Sequence, residues 1–423
     1  MRKMLRIFKF GGALMKDAEG IRKVVSIIEE YSCEQLVVVV SALGKTTNAL
    51  EELLSLSLEG KENELQETYF QLKSKHINLI NELFENEGNT IQEVEELFRE
   101  LWDKLSDNYS DNYFAYDQIV GFGEKFSSTI VANYIKSKGI QTKTIDACKI
   151  IYTDSNYTNA AINWKFTAKA IESMVSPCLK NNKVILTQGF IAADEKGNST
   201  TIGREGSDFT AAILANVLNA DDITIWKDVP GLMNADPKRF ANSVKLDKIS
   251  YYEAIELAFY GASVIHPKTI QPLKEKNIPL KVKSFNNPAS KPTTISNDTS
   301  EDESMHKIIV KDNQVLLSIT SRNLDFISED KLTIIFKLFS KNKIHINLMQ
   351  NSAVSFSVCF NHNSSKLKLL LKDLKENFIL KYNTNLLLIT IRHYTEDLIK
   401  QHTNNKKIFL EQKSRSTVQV LVR

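Results

Sequence analysis

The sequence predicts an α/β protein in two parts: an N-terminal domain on a mainly parallel sheet, then a C-terminal region of ferredoxin-like type. Strand-like apolar runs alternate with helical patterns in the first part, and a strand–helix–strand–strand–helix–strand order follows residue 307. In addition, all 15 glycines lie at or before Gly261. Because glycine lets backbone amides approach an anion, we expect anion-binding loops in the first part and ordinary turns in the second.

Composition narrows the class of protein. The 423 residues are 42% hydrophobic and 25% charged, which is typical of a globular enzyme of two or three domains and excludes wholesale disorder. A net charge of only +3 is too small to create a positive electrostatic field that would attract nucleic acid or an anionic membrane. No apolar run approaches the ~18 residues that span a bilayer, and the charged N-terminus does not resemble a signal peptide.

The cysteines indicate the compartment. Their spacing contains no Cys-x-x-Cys pair, so neither a zinc site nor a disulfide framework is predicted. They are Cys33, Cys148, Cys178 and Cys359. Scattered thiols fit a reducing environment, and we expect a cytoplasmic protein.

The first domain is predicted to span residues 1–297. Its buried strands are expected at Leu5–Phe10, Leu36–Val40, Val184–Thr187, Ile223–Trp226 and Leu280–Val282. Helical periodicity covers residues 17–32, 124–137, 207–219 and 250–260. Strands that alternate with helices place ligands at the carboxyl ends of the strands.

An all-helical insertion over residues 50–115 interrupts the alternation. Its apolar residues step by three and four, as in Val94, Leu97 and Leu101, and Gly60 and Gly88 are its expected breaks. We interpret its charges as a solvated face and assign it no chemistry.

The second part begins after an acidic linker at residues 298–306 and spans residues 307–423. Its predicted elements form one complete βαββαβ unit and an incomplete second one. They are Val315–Ile319, Glu329–Ser340, Ile344–Met349, Phe356–Phe360, Lys366–Glu376, Leu386–Ile391, Thr395–His402, Ile408–Leu410 and Val418–Val422.

Two glycine-bearing loops could bind an anion. Lys9-Phe-Gly-Gly12 ends the first strand and offers a cation beside free amides, although a plain strand-to-helix turn would look the same. The loop after Val40 carries Ser41, Thr46 and Thr47, which suit either a polar ligand or a helix cap. It is not a Walker A loop, because Val39 stands where that motif requires glycine.

Two further loops carry charge. Arg204, between glycines at a helix N-terminus, could clamp a carboxylate or phosphate in bidentate fashion. Asp208 follows in the first helical turn, where it could also be a helix-dipole partner. Asp228 and Asp236 could face Mg²⁺ or a ribose, or serve as turn residues. Together these loops suggest phosphoryl transfer by positioning and charge neutralisation.

Eight motifs occur in the order and spacing of one family. They are Lys9-Phe-Gly-Gly12, Val40-Ser-Ala-Leu-Gly-Lys-Thr-Thr-Asn48, Gly121-Phe-Gly-Glu124, Gly189-Phe190, Gly203-Arg204-Glu-Gly-Ser-Asp208, Lys227-Asp-Val-Pro-Gly231, Asp236-Pro237 and Tyr260-Gly-Ala-Ser-Val-Ile-His-Pro267. Over essentially its whole length the chain resembles the aspartate kinases (aspartokinases), which combine the amino-acid-kinase fold with a C-terminal ACT regulatory region.

The resemblance implies transfer of the γ-phosphoryl group of Mg²⁺-bound ATP to the side-chain carboxylate of L-aspartate. The product, 4-phospho-L-aspartate, begins the biosynthesis of lysine (through diaminopimelate), threonine and methionine. The implied catalytic residues are Lys9, Gly11, Gly12, Arg204 and Asp208. The implied aspartate-binding residues are Ser41, Thr47, Glu124, Phe190, Arg204 and Ser207, with Arg204 on a carboxylate and Glu124 facing the ammonium. The implied nucleotide-binding residues are Lys9, Lys227, Asp228, Met233, Lys238, Ser263 and Val264, and no metal ligand is assigned.

The chain departs from the family pattern mainly on the nucleotide side. Ala13-Leu14 stands where many members have Thr-Ser, Met233 replaces an aromatic residue, Lys238 replaces arginine and Ser263 replaces lysine. Lys268 and Arg239 lie close enough in sequence to compensate for Ser263.

The resemblance also implies a feedback amino acid and a homodimer or higher homo-oligomer. The effector-facing stretch is expected at Ile346–Ala353, with Asn347, Asn351 and Ser352 as contacts. Lysine-sensitive relatives often carry acidic side chains there, whereas this stretch is neutral. A neutral pocket disfavours an ammonium tail, so threonine is expected to fit better than lysine. The alternative is that the region is only a dimerisation platform.

Three functions compete at this stage. The preferred one is an active aspartate kinase. The second is another enzyme of the same fold, acting on glutamate, N-acetylglutamate, carbamate or UMP. The third is an amino-acid sensor that retains the ACT region and has lost turnover.

Overall fold

The computed structural model describes residues 3–85, 89–180, 184–262, 265–323 and 325–423. Its internal contacts divide the chain into two compact units. The first comprises Met1–Leu232, Lys245–Ile255 and Val264–Thr299, and the second comprises Met233–Val244, Glu256–Ser263 and Ser300–Arg423. Two segments from before the predicted linker therefore group with the C-terminal unit.

An eight-stranded sheet forms the centre of the first unit. Its strands are β1 (Leu5–Phe10), β2 (Gln35–Val40), β3 (Thr142–Thr144), β4 (Val184–Gln188), β7 (Asp222–Lys227), β8 (Lys248–Ser250), β9 (Leu280–Ser284) and β10 (Thr293–Ser296), and a separate hairpin pairs β5 (Ile191–Ala193) with β6 (Ser199–Thr201). The strand order is β3-β4-β2-β1-β7-β9-β10-β8. Every pairing is parallel except that of β9 with β10, which confirms the mainly parallel sheet.

Eleven helices belong to this part of the chain as described. They are α1 (Ala18–Glu30), α2 (Thr46–Leu58), α3 (Glu62–Leu83), α4 (Thr90–Leu105), α5 (Asn112–Val120), α6 (Phe122–Ser137), α7 (Trp164–Met174), α8 (Ser176–Lys180), α9 (Gly206–Leu218), α10 (Tyr251–Tyr260) and α11 (Pro267–Glu275). The five predicted strands and four predicted helices are present within a few residues of their expected bounds. The short strands β3, β5, β6, β8 and β10 were not predicted, since three or four residues carry little periodicity. None of the described helices combines the length and the apolar character that crossing a membrane requires.

The strands at the centre of this sheet are apolar, as expected of strands that are buried on both faces. Val37, Val38, Val39 and Val40 are all fully buried, as expected for a parallel strand at the centre of a sheet. The helical insertion is confirmed, but it begins earlier and ends later than predicted, since α2 starts at Thr46 and α5 continues to Val120. Gly60 makes the expected break after α2, while Gly88 lies outside the described residues.

The second unit is built on one antiparallel sheet of six strands. Its elements are β11 (Lys307–Ser321), α12 (Glu329–Lys341), β12 (Ile346–Asn351), β13 (Ser355–Asn361), α13 (Ser364–Lys375), β14 (Phe378–Arg392), α14 (Glu396–Thr403), β15 (Ile408–Lys413) and β16 (Thr417–Val422). The strand order is β12-β13-β11-β14-β16-β15. The predicted βαββαβ unit is therefore confirmed, from β11 to β14.

The partial second unit is not separate from the first. β11 and β14 have 15 residues each, far longer than predicted, because each strand serves both parts of the sheet. The C-terminal half of β11 pairs with β13, while its N-terminal half pairs with the end of β14, which continues the sheet into β16. A register shift between Lys311 and Leu316 marks the point where the two halves meet.

The expectation of ordinary turns in the glycine-free region is wrong. Five non-glycine residues of the second unit adopt positive φ angles: Asn313, Lys343, Asn385, His393 and Asn405. Asparagine tolerates the left-handed region better than other residues that carry a Cβ, and three of the five are asparagines. Asn313 and Asn385 lie at the register shift between β11 and β14, and Asn405 lies in a turn, so asparagine takes positions where glycine is more usual.

We expect Gly20→Ala to destabilise the first unit, although alanine is the better helix former. A Cβ at Gly20 would lie 2.1 Å from the carbonyl oxygen of Leu14, so α1 would have to move away from the turn that follows β1. Overpacking costs roughly 1–3 kcal/mol, against a propensity gain of about 1 kcal/mol. Urea unfolding measures the difference, with the exposed Glu19→Ala as control. A Gly20→Ala protein as stable as the wild type would contradict this packing.

Candidate functional site

A pocket of about 840 Å³ opens in the first unit at the carboxyl ends of neighbouring strands. Lys9 lies near the end of β1, Ser41 follows β2, Phe190 follows β4 and Lys227 ends β7. Parallel strands present their carboxyl ends at one edge of the sheet, so these side chains converge although they are far apart in sequence.

Nine of the predicted site residues line this pocket. They are Lys9, Ser41, Thr47, Glu124, Phe190, Arg204, Ser207, Asp208 and Lys227. Gly11 lies beside it, since a Cβ there would be 3.4 Å from Lys9 Nζ. Gly12 packs against the carbonyl oxygen of Ala42, which leaves no room for a side chain.

Three of the remaining predicted nucleotide residues are described by the structure and are not part of the pocket lining. Asp228 directly follows Lys227 but is not part of the pocket lining. Met233 and Lys238 belong to the second unit. Ser263 and Val264 lie outside the described residues.

The buried carboxylate of Asp208 holds two ammonium groups together in the pocket. Lys9 Nζ lies 2.6 Å from Asp208 Oδ1, and Lys227 Nζ lies 3.4 Å from Asp208 Oδ2. Burial alone would raise the pKa of Asp208, but the two lysines hold that pKa below its ordinary value. Asp208 also lies in the first turn of α9, so the helix dipole adds to the stabilisation of its charge.

Glu124 is the second buried carboxyl group in the pocket lining. Its Oε1 accepts a hydrogen bond from the backbone N–H of Ala42 at 3.2 Å, and its Oε2 has no hydrogen-bond partner among the described residues. Burial raises the pKa of Glu124 to about 8, against the smaller opposing effects of that hydrogen bond and of Lys9. A cationic ligand group at Oε2 would restore the charged form.

Arg204 sits on a tight turn between β6 and α9. The residues on either side, Gly203 and Glu205, have left-handed backbones with φ angles of 79° and 54°, and the N–H of Gly206 donates to the carbonyl of Gly203 at 3.1 Å. The guanidinium of Arg204 donates no hydrogen bond to any of the described residues. It is available to a ligand.

Two glycines bring this turn close to the end of β4. A Cβ at Gly189 would lie 2.4 Å from the Cβ of Ser207. A Cβ at Gly206 would lie 2.8 Å from the ring of Phe190. Only glycine allows these two segments to meet, and their meeting places Phe190 and Ser207 in one pocket wall.

The insertion, to which the sequence analysis assigned no chemistry, contributes a wall of the pocket. The lining residues that sequence reasoning missed are Glu51, Leu54, Ser55, Leu58, Asn112, Tyr113, Tyr116, Thr158, Gly203, Glu205 and Gly206. The hydroxyl of Tyr116 on α5 donates to Glu51 Oε1 on α2 at 2.8 Å, which joins the two helices at the pocket. Helical periodicity indicates which residues are buried, but it does not reveal that the exposed side of α2 and α5 borders a site.

The two residues expected to compensate for Ser263 have other partners. Lys268 Nζ donates to Asn159 Oδ1 at 2.8 Å within the first unit. The guanidinium of Arg239 pairs with the carboxylate of Asp312 within the second unit.

The predicted effector residues lie at the edge strand β12 and just beyond it. The side chain of Asn347 is engaged within the sheet: its Oδ1 accepts from Lys311 Nζ at 2.8 Å and its Nδ2 donates to Gln314 and Asn361. Asn351 is exposed, and the hydroxyl of Ser352 bonds to Ser355.

Among the described residues, no group of three or more histidine, cysteine, aspartate or glutamate side chains could hold a metal ion. In the pocket, Asp208 is neutralised by two lysines. The donor set of the pocket therefore suits an anionic ligand better than a bare cation.

Comparison with known proteins identifies the family. Residues 4–284 match the model of the amino acid kinase family. The chain is 29% identical to the bifunctional aspartokinase/homoserine dehydrogenase of Buchnera aphidicola, over 96% of this chain and 51% of that protein. It is 30% identical to the chloroplastic aspartokinase 1 of Arabidopsis thaliana, over 83% of this chain and 62% of that protein. The chain thus spans between half and two thirds of the length of these two relatives.

A solved structure agrees with the sequence comparisons. The crystal structure of Escherichia coli aspartokinase III in complex with aspartate and ADP superimposes with a TM-score of 0.82 at 25% identity, covering 99% of this chain and 96% of that one. The resemblance inferred from the eight motifs is confirmed, and the chain belongs to the amino acid kinase family.

Proposed function

We propose that this protein is an aspartate kinase, which transfers the γ-phosphoryl group of ATP to the side-chain carboxylate of L-aspartate. The observation that supports this most is one pocket that combines the Lys9–Asp208–Lys227 cluster with Glu124 and Arg204. The cluster suits phosphates, and the other two residues suit the ammonium and a carboxylate of an amino acid. The E. coli relative, whose structure contains aspartate and ADP, acts as a precedent for this pair of ligands.

The chemistry needs no general base. The side-chain carboxylate of aspartate has an ordinary pKa near ~4 and is already ionised at neutral pH. One of its oxygens forms a bond to the γ-phosphorus, the bond from that phosphorus to the bridging oxygen breaks, and ADP leaves with the electron pair. The difficulty is to bring one anion against another, so the contribution of the protein is positive charge and orientation.

Lys9 and Lys227 supply that charge. Two ammonium groups repel each other, and the carboxylate of Asp208 offsets the repulsion by lying within ion-pair distance of both. When phosphate oxygens arrive, the lysines exchange part of their interaction with Asp208 for the new anion. Mg²⁺ would accompany ATP as part of the substrate and neutralise phosphate charge, since Asp208 is already paired with two lysines.

The competing functions have less support. N-acetylglutamate, carbamate and UMP have no free ammonium group for Glu124 to pair with, although it lines the pocket beside Arg204. A sensor without turnover would have no need to keep the buried Lys9–Asp208 ion pair, which is costly to bury without a use. We further propose a cytoplasmic enzyme, given that its four cysteines are all free thiols.

We expect the wild type to form a hydroxamate when Mg-ATP and L-aspartate are incubated with hydroxylamine, which traps acyl phosphates. D-aspartate and L-glutamate should give little product. Lys9→Ala should lower kcat by roughly 10²–10³, because it removes a cation that acts on the transferring phosphoryl group. Lys16→Ala removes an exposed lysine that follows the same turn and should leave kcat unchanged. A wild type that phosphorylates L-glutamate or nothing at all would refute the proposal.

The KM for aspartate should fall as the pH rises through about 8. The pKa of Glu124 is raised to about 8 in the free protein, so below that pH its carboxyl group is neutral and cannot pair with the substrate ammonium. Well below this pKa the KM should rise by about tenfold for each unit by which the pH is lowered. Steady-state kinetics between about pH 6.5 and 9 measure the profile, and Glu124→Gln should flatten it. A profile that Glu124→Gln leaves unchanged would assign the titration to another group.

Regulation by an amino acid at the second unit belongs to the same proposal. The edge strand β12 presents unpaired backbone groups, which favour pairing with a second copy of the chain as a homodimer or higher oligomer. The ammonium of Lys311 lies 2.8 Å from Asn347, so a positive charge already occupies the neighbourhood of the expected effector contacts.

We therefore expect threonine to inhibit more strongly than lysine. A second ammonium group beside Lys311 would be repelled, whereas the hydroxyl of threonine needs only amide partners. Activity is titrated with lysine, threonine and methionine. Potent inhibition by lysine alone would contradict the argument. Indifference to all three, with a dimer lost on deletion of residues 305–423, would leave the region as a dimerisation platform.

A further inference from the structure

Asp117 is a buried carboxylate that the proposed reaction does not use directly. It lies on α5, inside the insertion, and is fully buried. Aspartate is a poor residue for the interior of a helix, and a buried carboxylate is costly unless it is well hydrogen-bonded. Its presence here calls for partners outside the helix.

Those partners are two loop segments that flank the pocket. Asp117 Oδ2 accepts hydrogen bonds from the backbone N–H groups of Thr158 and Thr201, each at 2.9 Å, and Oδ1 accepts from the hydroxyl of Thr201 at 2.7 Å. Burial raises the pKa of Asp117, and these hydrogen bonds oppose that effect. The segments are also joined directly, since the N–H of Ala160 donates to the carbonyl of Thr201 at 3.0 Å.

Both segments lead to the turn that carries Arg204. Thr201 is the last residue of β6, two residues before Gly203. Thr158 has a left-handed backbone with a φ angle of 70° and lines the pocket. Its neighbour Asn159 backs the turn so closely that a Cβ on Gly203 would lie 2.7 Å from Asn159 Oδ1.

The backbone, rather than the side chain, determines where Arg204 points. Its guanidinium donates no hydrogen bond within the described part of the chain, whereas the residues on both sides of it are held in left-handed conformations. Of these two residues Glu205 carries a Cβ, and a left-handed backbone at a non-glycine residue is strained and persists only when surrounding contacts hold it. Thr158 is bonded directly to Asp117, and the start of the Arg204 turn is bonded to it through Thr201.

We propose that Asp117 is a positioning residue for substrate binding: by holding Thr158 and Thr201, it fixes the strained turn that presents Arg204 to the aspartate carboxylate. The inference rests on the proposed function, because it assigns Arg204 to aspartate. It also gives the insertion a role in recognition, through a side chain that never touches the substrate.

Asp117→Asn should raise the KM for aspartate by about tenfold or more, with kcat and the KM for ATP changed much less. The substitution keeps the size of the side chain but places an N–H₂ group either where Oδ2 accepts from two backbone N–H groups or where Oδ1 accepts from the Thr201 hydroxyl. The loss of a hydrogen bond to a charged acceptor accounts for an effect of this order. A merely structural role would lower the amount of folded enzyme and leave the KM for aspartate unchanged.

The matched control is Asp222→Asn. Asp222 is also a buried carboxylate, paired with Arg6 at 2.9 Å and Lys281 at 2.7 Å, but it begins β7 at the opposite end of the strand from the pocket. Asp222→Asn should lower the stability of the protein and leave the KM values for aspartate and for ATP unchanged. If Asp117→Asn fails to fold, Thr201→Val removes only the hydroxyl contact and should raise the KM for aspartate by a smaller factor.

A double-mutant cycle tests whether Asp117 acts through Arg204. Arg204→Lys should itself raise the KM for aspartate, because a point charge cannot replace a two-pronged guanidinium contact. If Asp117 works by placing Arg204, the double variant should be little worse than Arg204→Lys alone. Fully additive effects, or a larger effect on the KM for ATP than on that for aspartate, would overturn the inference.

Hydrogen exchange separates this inference from the proposed function. In Asp117→Asn, amides of residues 156–162 and 199–206 should exchange faster than in the wild type, while Asp222→Asn leaves them protected. A wild type without aspartate kinase activity would refute the proposed function, and the exchange result would still decide whether Asp117 holds the turn. Unchanged exchange in residues 199–206 of a folded Asp117→Asn protein would overturn the inference.

Discussion

Two ammonium groups and one buried carboxylate at the end of the central sheet constrain most of the first unit. Burying an isolated charge costs several kcal/mol or more, so the buried carboxylate of Asp208 needs both the buried Lys9 and the partly exposed Lys227 beside it. Their meeting requires β1 and β7 to be adjacent and parallel, with α9 beginning at the same edge. The order of the strands and the position of α9 thus both depend on the pairing of these three charges.

The close packing around this cluster concentrates backbone strain at the pocket. Four residues of its lining, Thr158, Phe190, Gly203 and Glu205, have left-handed backbones, and Gly189 and Gly206 allow two segments to approach more closely than a Cβ permits. Strained residues of this kind are characteristic of functional sites, where surrounding contacts hold the backbone in a position that a ligand needs. The hydrogen bonds and packing of the β5–β6 hairpin and of α5 offset the free-energy cost of this backbone strain.

Much of the fold and about half of the pocket lining could be predicted from the sequence, for identifiable physical reasons. Central strands such as Val37–Val40 are apolar on both faces, so the sequence alone predicts them. The glycine-bearing motifs can also be recognised in the sequence, because they depend on local backbone conformation. The wall made by Glu51 and Tyr116 could not be predicted, because a polar residue on a helix looks the same whether it borders water or a site. β11 was predicted too short since Asp312-Asn313 interrupts its apolar pattern at the register shift.

The 15-residue strands of the second unit have a consequence for the order of events during synthesis. β11 lies in the interior of its sheet, between β13 and β14. The last residue of β14 is synthesised about seventy residues after the last residue of β11. Until then one full side of β11 has no hydrogen-bond partner, and exposed strand edges favour association between chains. Because both halves of the sheet share the same two strands, neither half can be completed early. The sheet therefore cannot be completed before β14 has been made, and until then the free side of β11 can pair with a neighbouring nascent chain.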